Sequence, residues 1–296
     1  MKKNLLFIIL LSIVSVQYAY TQNYSAQYLD ALAKEKARRK SKPINLGPRE
    51  YLGEASNEFL YFYVASEPES NIGFDDYYIL QVSPKYSLIS QYGQYQIDSL
   101  AFTSPDHSWV VDNLDFLRLC DEINSQYDYV LRNHEKNDSL NVLRTAGFGV
   151  YLQYEEEEPS FNWVLTGEAK QIGSLNCKRA TCSFRGRDWE AWYTEEIPIP
   201  EGPWKFCGLP GLIVQIRDTE GHHVFTLNKI RETKTPMGFR KERPRKLSRE
   251  KVNEIILERK KNPVAPSING KIVPLTDING NPIKPAKQFT NFIERE

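Results

Sequence analysis

Residues of nucleophilic, redox and metal chemistry are scarce in this sequence: four cysteines, four histidines and two methionines stand among 296 residues. It holds no His-Glu-x-x-His pair for zinc, no Gly-x-x-x-x-Gly-Lys loop for phosphate and no Gly-x-Ser-x-Gly elbow for a serine nucleophile. Gly147-Phe148-Gly149 has too few glycines for a dinucleotide-binding turn. An excess of one charge sign is also missing, with 38 basic residues against 38 acidic ones. A nucleic-acid partner is therefore not expected, because phosphate binding draws on a clustered basic surface. Long apolar runs are absent after the first residues, which excludes a later transmembrane helix.

The one apolar run, residues 5–14, is interrupted only by Ser12 and is too short for the roughly 20 residues a spanning helix needs. Lys2 and Lys3 precede it and Ala19-Tyr20-Thr21 follows, the order of a secretory signal peptide cleaved after Thr21. Loss of Lys2 and Lys3 leaves 36 basic residues (38 − 2) against 38 acidic, a net charge of −2. The first cysteine is Cys120, so no lipid-anchoring thiol lies near the junction. The expectation is an exported protein, periplasmic or associated with an outer membrane, soluble and not a lipoprotein.

What the sequence has in quantity is aromatic residues, 12% including 17 tyrosines, which favours strands over a helical bundle. Strands are predicted at 59–65, apolar on both faces, then at 77–82, 86–91, 147–154, 161–169, 176–187, 189–194, 212–218 and 223–230. Helices are predicted at 28–39, 108–122 and 249–261, the last capped by Ser248 and stopped by Asn262-Pro263. Turns are expected at Asn269-Gly270 and Asn279-Gly280. The fold class expected is mainly β: a curved antiparallel sheet, half-barrel or barrel, with one or two short helices. Residues 1–21 form the signal peptide, 22–58 a tail and linker, 59–262 the β-rich domain and 263–296 a C-terminal extension.

An oxidising compartment favours disulfides. Along one extended strand Cys177 and Cys182 point to opposite faces, so they do not bond each other. The expected bridge is Cys182 with Cys207, leaving Cys177 and Cys120 as thiols or a second bridge.

The segment FCGLPGLI at 206–213 resembles the motif that names the GLPGLI family of bacterial envelope proteins. NWVLTGEAKQI at 162–172, CKRATCSFRGRDWEAWYTEEIPI at 177–199 and GPWKF at 202–206 are similar to the blocks that family carries in the same order. DYYILQVSPKYSLI at 76–89 and DSL at 98–100 resemble its N-terminal half. The resemblance implies a secreted or periplasmic protein that accompanies outer-membrane receptor systems of the TonB-dependent kind. It implies no activity, cofactor or catalytic residue.

Leu209-Pro210-Gly211 reads as a type II turn, with Pro fixing φ and Gly supplying a positive φ, and Gly208 as a place where the backbone passes close to something. One reading is a stiff corner launching a core strand. The other is a rigid loop that offers Trp204, Phe206 and the backbone of Gly208, Pro210 and Gly211 to a ligand. Trp189, Ala191 and Tyr193 share one strand face and Trp192 the other. Arg187 pairs with Asp188 or Glu190, or binds an anionic group bidentately. A metal site at His222 and His223 is a weak alternative, and the acidic run 155–158 reads as solvated. No cofactor and no metal are expected. The function these readings favour is a non-enzymatic envelope accessory that binds an apolar or peptide ligand or docks on a transport system. The alternative is an envelope enzyme, a hydrolase or a thiol-based one using Cys177 or Cys207.

Overall fold

A computed structural model describes residues 49–67, 69, 72–103, 129–136, 139–146, 150–241, 243–261 and 289–295. In chain order the elements are β1 (Arg49–Glu67), β2 (Ile72–Val82), β3 (Tyr86–Gln91), α1 (Tyr92–Thr103), β4 (Tyr129–Asn133), β5 (Ser139–Thr145) and β6 (Tyr151–Glu157). There follow β7 (Val164–Ile172), β8 (Leu175–Phe184), β9 (Arg187–Thr194), β10 (Leu212–Asp218), β11 (His223–Arg240), β12 (Arg245–Lys246) and α2 (Arg249–Lys261). The helices expected at 28–39 and 108–122, the two Asn-Gly turns and the signal peptide lie outside the described residues.

One 12-stranded sheet runs β12-β6-β5-β4-β3-β2-β1-β11-β10-β9-β8-β7. It consists of two meanders, β1 to β6 and β7 to β11, each antiparallel between sequence neighbours and joined where β1 pairs with β11. Only β12 enters parallel, against β6. The fold is mainly β, as expected, but the sheet stays open: β12 and β7 are its two edges and do not pair with each other. A barrel would require that closure. The two-residue β12 offers almost no ladder for it.

Strand β1 corrects the sequence reading. The strand expected from Phe59 begins at Arg49, and β11, expected to stop at Ile230, continues to Arg240. These two unexpected stretches pair with each other, Arg49 opposite Arg240 and Asn57 opposite Glu232. Register shifts at Tyr51/Gly53 and Ala55/Asn57 absorb the irregularity near Pro236. Glu58, in the stretch read as linker, is buried and receives Gln81 Nε2 at 3.0 Å, Tyr95 Oη at 3.0 Å and Thr235 Oγ1 at 2.5 Å. One carboxylate thus ties β1 to β2, α1 and β11. Four short elements, α1, β4, β5 and β12, had no expectation at all.

The odd-numbered side of β1 is core: Phe59, Tyr61, Tyr63 and Ala65 are buried. Its even-numbered side, expected to be buried as well, is partly open, with Val64 38% exposed. Tyr63 stacks on Phe225 at 4.1 Å, and Tyr61 Oη donates to the Ile213 carbonyl at 2.7 Å. The same core takes Leu140 and Val142 from β5, Leu152 and Tyr154 from β6, and Trp189, Ala191 and Tyr193 from β9. Trp192 faces the other side with Cys177 and Val214, as alternation demands. Helix α2 forms where expected: Ser248 Oγ accepts from Lys251 N at 3.3 Å, and Val252 and Ile256 are buried in the core. No helix among the described residues is long and apolar enough to cross a membrane.

Phe225→Ala should cost about 3–5 kcal/mol in chemical denaturation, because it empties a fully buried site beneath Tyr63. Val164→Ser, at a position 62% exposed, should stay within about 0.5 kcal/mol of wild type.

Candidate functional site: the loop between β9 and β10

Residues 195–211 connect β9 to β10, and their prolines and glycines fold the chain back on itself. Ile199 N donates to the Ile197 carbonyl and Glu201 N to the Ile199 carbonyl, each at 2.8 Å. These are successive three-residue turns, a geometry that the fixed φ of Pro198 and Pro200 favours. Gly208 N then reaches the Pro200 carbonyl at 3.0 Å, and Glu201 and Cys207 form an isolated antiparallel bridge. Trp204 holds a left-handed φ of 56°, uncommon for a bulky residue.

The two glycines of the motif exchange the roles expected of them. Gly208 has φ +85° with nothing within 4 Å of a built Cβ, so it supplies the left-handed turn. Gly211 is absent from the left-handed region; a Cβ there would lie 2.0 Å from the Thr194 carbonyl oxygen. Leu209-Pro210-Gly211 is a three-residue turn closed by Gly211 N on the Leu209 carbonyl at 2.7 Å, not a type II turn. The motif is a stiff corner launching β10, whose Leu212, Ile213 and Val214 are all buried. Trp204 and Phe206 do not face a ligand: they are 3% and 0% exposed and lie in the core against Trp189 and Phe184. Gly208 and Pro210 remain exposed, with Leu209 buried between them and Gly211 behind.

The loop also carries two charged side chains inward, Glu201 and Lys205, for neither of which a role was expected from the sequence. Arg132 on β4 pairs with Glu201, places Nε 2.6 Å from Glu158 and donates from Nη2 to the Lys205 carbonyl at 3.1 Å. Lys205, with no exposed surface, pairs with Glu156 of β6 and with Glu294, and donates to Tyr154 Oη at 3.1 Å. Burial opposes its charge, but Glu294, Tyr154 and Glu156 together push the ammonium above its ordinary pKa. Removing one partner of such a pair costs about 3–5 kcal/mol, since the other is left charged and dry. The acidic run 155–158, expected to be solvated, is therefore half structural. Alternation along β6 and beyond turns Glu156 and Glu158 toward Lys205 and Arg132, while Glu155 and Glu157 stay exposed.

Cys177, Cys182 and Cys207 are free, buried thiols, so the expected Cys182–Cys207 bridge is not formed. Cys182 sits in the main core under β8, whereas Cys207 Sγ donates to Glu158 Oε1 at 3.0 Å. Burial pushes the Cys182 thiol up to about 12. The Cys207 thiol is raised further, by burial first and then by Glu158, against the pull of Arg132. Neither supplies a thiolate at neutral pH. His134 approaches Ser87 Oγ at 2.9 Å and Glu201 at 3.7 Å, but both meet the same Nε2. A relay from carboxylate to hydroxyl needs opposite ring nitrogens.

Arg187 forms its ion pair with Asp218 at 2.7 Å, both side chains 1% exposed, rather than with Asp188 or Glu190. Asp218 is registered opposite Trp189 and so shares the face of Arg187, while Asp188 points away. Asp218, Glu220 and His222 bring donor atoms within 4.8 Å of one another. Arg187 and Arg295 already neutralise the two carboxylates. His223 turns inward instead, its Nδ1 2.7 Å from Tyr63 Oη, and burial first, with Arg187 beside it, holds its pKa well below the ordinary value. The adjacent Lys260 ammonium is buried without a hydrogen-bond partner among the described residues, over the Phe292 ring at 5.4 Å. Burial, with Arg144 nearby, brings its pKa down to about 7.

This is the site of an open-sheet β protein whose linking loop is locked by buried ion pairs. Residues 185–215, spanning all of β9, the loop and the start of β10, match a family model described as "Protein of unknown function (Porph_ging)". No curated protein matches the sequence. Two crystal forms of PNGF-II, in space groups C2 and P21, are similar in structure, each with a TM-score of 0.49 and with 12% and 13% identity. They cover 70% of this chain, which spans 33% and 34% of theirs.

Gly211→Ala should destabilise by about 3 kcal/mol or more, because its methyl meets a strand backbone that cannot yield. Gly208→Ala should cost only about 1–2 kcal/mol, the left-handed penalty alone. Reversal of that order in equilibrium unfolding would contradict the exchange of roles.

Lys260 gives a pH signature. Its folded pKa lies below the unfolded one, so the unfolded chain holds one more proton between about 7 and 10.5 and stability rises with pH through that window. Below about 7 the penalty of the buried charge is complete. Lys260→Met should therefore raise stability by about 1–3 kcal/mol at pH 6, with the gain fading between about pH 7 and 10.5. Melting curves of both proteins across that range measure it.

Proposed function

We propose that the protein is an exported, non-enzymatic envelope accessory that recognises an extended peptide or a strand of a partner protein through the open edge of β7. The observation that carries this reading is β7 itself. It pairs with β8 on one side only, its residues Val164 to Gln171 are all exposed, and Val164 and Leu165 present apolar side chains at 62% and 55% exposure. An unpaired edge with flanking apolar side chains is what strand addition uses: main-chain hydrogen bonds give affinity and the side chains give selectivity. The rest of the strand is blunted, with Glu168 held by Arg179 and Lys170 lying 4.0 Å over the Trp192 ring. The receptive stretch is thus Val164 to Thr166.

A cavity for an apolar ligand receives less support. The void lined by Val142, Arg144, Tyr154, Trp204, Asn253 and Glu294 holds ≈ 20 Å³, room for about one water. Small-molecule sites occupy roughly 300–1,000 Å³. Burial raises the pKa of both the Cys177 and the Cys207 thiols, which likewise weighs against a thiol enzyme. Export rests on the N-terminal residues 1–21. A TonB-dependent outer-membrane receptor system is the partner class that the GLPGLI resemblance suggests.

The test is capture from envelope extract by the tagged mature chain, compared with a Val164→Lys/Leu165→Lys variant. The variant should keep its melting temperature within about 2 °C, both sites being exposed, and lose the captured partner. Equal capture by both proteins would set the β7 reading aside.

A further inference from the structure

The segment Phe289 to Arg295 belongs to no strand and no helix, yet it is among the most firmly seated parts of the chain. Phe289 is fully buried, edge-on to Phe74 at 5.1 Å and to His223 at 6.2 Å, and Ile293 is 4% exposed. The segment is read largely through side chains. Thr290 Oγ1 donates to Glu67 at 2.7 Å, and Asn291 Nδ2 to the Ser66 carbonyl at 3.0 Å. Arg187 spends most of its donors here: Nη2 on Asn291 Oδ1 and, at 2.8 Å, on the Phe292 carbonyl, and Nε on the Ile293 carbonyl at 3.2 Å. Glu294 sits between Lys205 and Arg249, and Arg295 N donates to the Arg185 carbonyl at 2.9 Å.

The groove that receives it is balanced without it. Arg187 has Asp218, Lys205 has Glu156 and Arg249 has Glu250, each a carboxylate from the body of the fold. Withdrawing the segment leaves each of these three cations its counter-charge, while it opens the core that Phe289 and Ile293 enter and takes the rings of Phe289 and Phe292 from Lys260 and Arg144. The sheet loses no ladder partner, since none of the twelve strands includes these residues. The segment's covalent link to α2 runs through residues 262–288, a length that extended chain carries over tens of ångströms.

We infer that this groove is a peptide-binding site and that residues 289–295 are its built-in ligand, a sequence the groove also accepts from a separate molecule. Recognition is by an aromatic anchor, an Asn bonded to Arg187 and a Glu between Lys205 and Arg249, separated as in Phe-Thr-Asn-Phe-Ile-Glu. The inference stands independently of the role given to β7.

The test uses the full chain with a protease site inserted within 264–286. After cleavage the released piece should stay bound through gel filtration. A fluorescent peptide of residues 288–295, added in excess, should replace it at one per chain, seen as raised anisotropy. Peptides with Asn291→Ala or Glu294→Ala should bind about tenfold more weakly or worse, each losing a buried, charge-assisted contact. Uncut protein should exclude the label, because a tethered copy acts at roughly millimolar effective concentration. The inference is overturned if the cut chain sheds the piece and takes up no peptide, or unfolds and is not restored by it. Equal uptake of a shuffled peptide overturns it as well.

Discussion

The antiparallel ladder between β1 and β11 is the contact on which the rest of the sheet depends. Each meander closes its own hairpins locally, but neither has a full core alone. The ladder sets the aromatic face of β1, Phe59, Tyr61 and Tyr63, beside Phe225 of β11 and opposite Ile213 of β10. Burial of large aromatic surface then supplies the stabilisation, at about 25 cal/mol per Å² of apolar area. Register matters as much as contact, since a one-residue slip would turn Phe59, Tyr61 and Tyr63 out to solvent.

Against this frame the loop between β9 and β10 acts as a clasp. It contributes Trp204, Phe206 and Leu209 to the core and pushes Glu201 and Lys205 toward charges on β4 and β6, in the other meander. A fully buried lysine is costly unless its ammonium is surrounded, and here two carboxylates and a tyrosine hydroxyl surround it. Such pairs add little net stability over an apolar core, but they penalise every other placement of the loop. The short stretch matched by a family model, 185–215, coincides with this clasp. Its physical demands are dense: no Cβ at Gly211, a left-handed Gly208, an inward Lys205 and an Arg187 buried on Asp218.

Strand-level structure was legible where local pattern and tertiary environment agree. Period-two alternation placed Trp189, Ala191 and Tyr193 on one shared face, which proves to be the core side, and separated Cys177 from Cys182, because side-chain direction in a strand is a local property. Helix α2 was legible for the same reason, its cap and apolar stripe lying within one segment. Residues 49–58 and 231–240 were misread because these polar segments, one following Pro48 and the other holding Pro236, become strands only by finding each other across the chain. Five-residue β4 carries too few residues for a periodic signal, and in β5 the alternation of Leu140 and Val142 is broken by Leu143 and the buried Arg144.

The sequence by itself determined the fold class, the positions of most strands and the stiffness of the corner at Leu209-Pro210-Gly211, since each follows from backbone and side-chain preferences within a few residues. Only the tertiary structure decided the openness of the sheet, the exchanged roles of Gly208 and Gly211, the partner of Arg187 and the seat of residues 289–295. Those are questions of which distant groups meet, and a buried charge takes the partner that its neighbours' geometry brings within reach, wherever that partner lies along the chain.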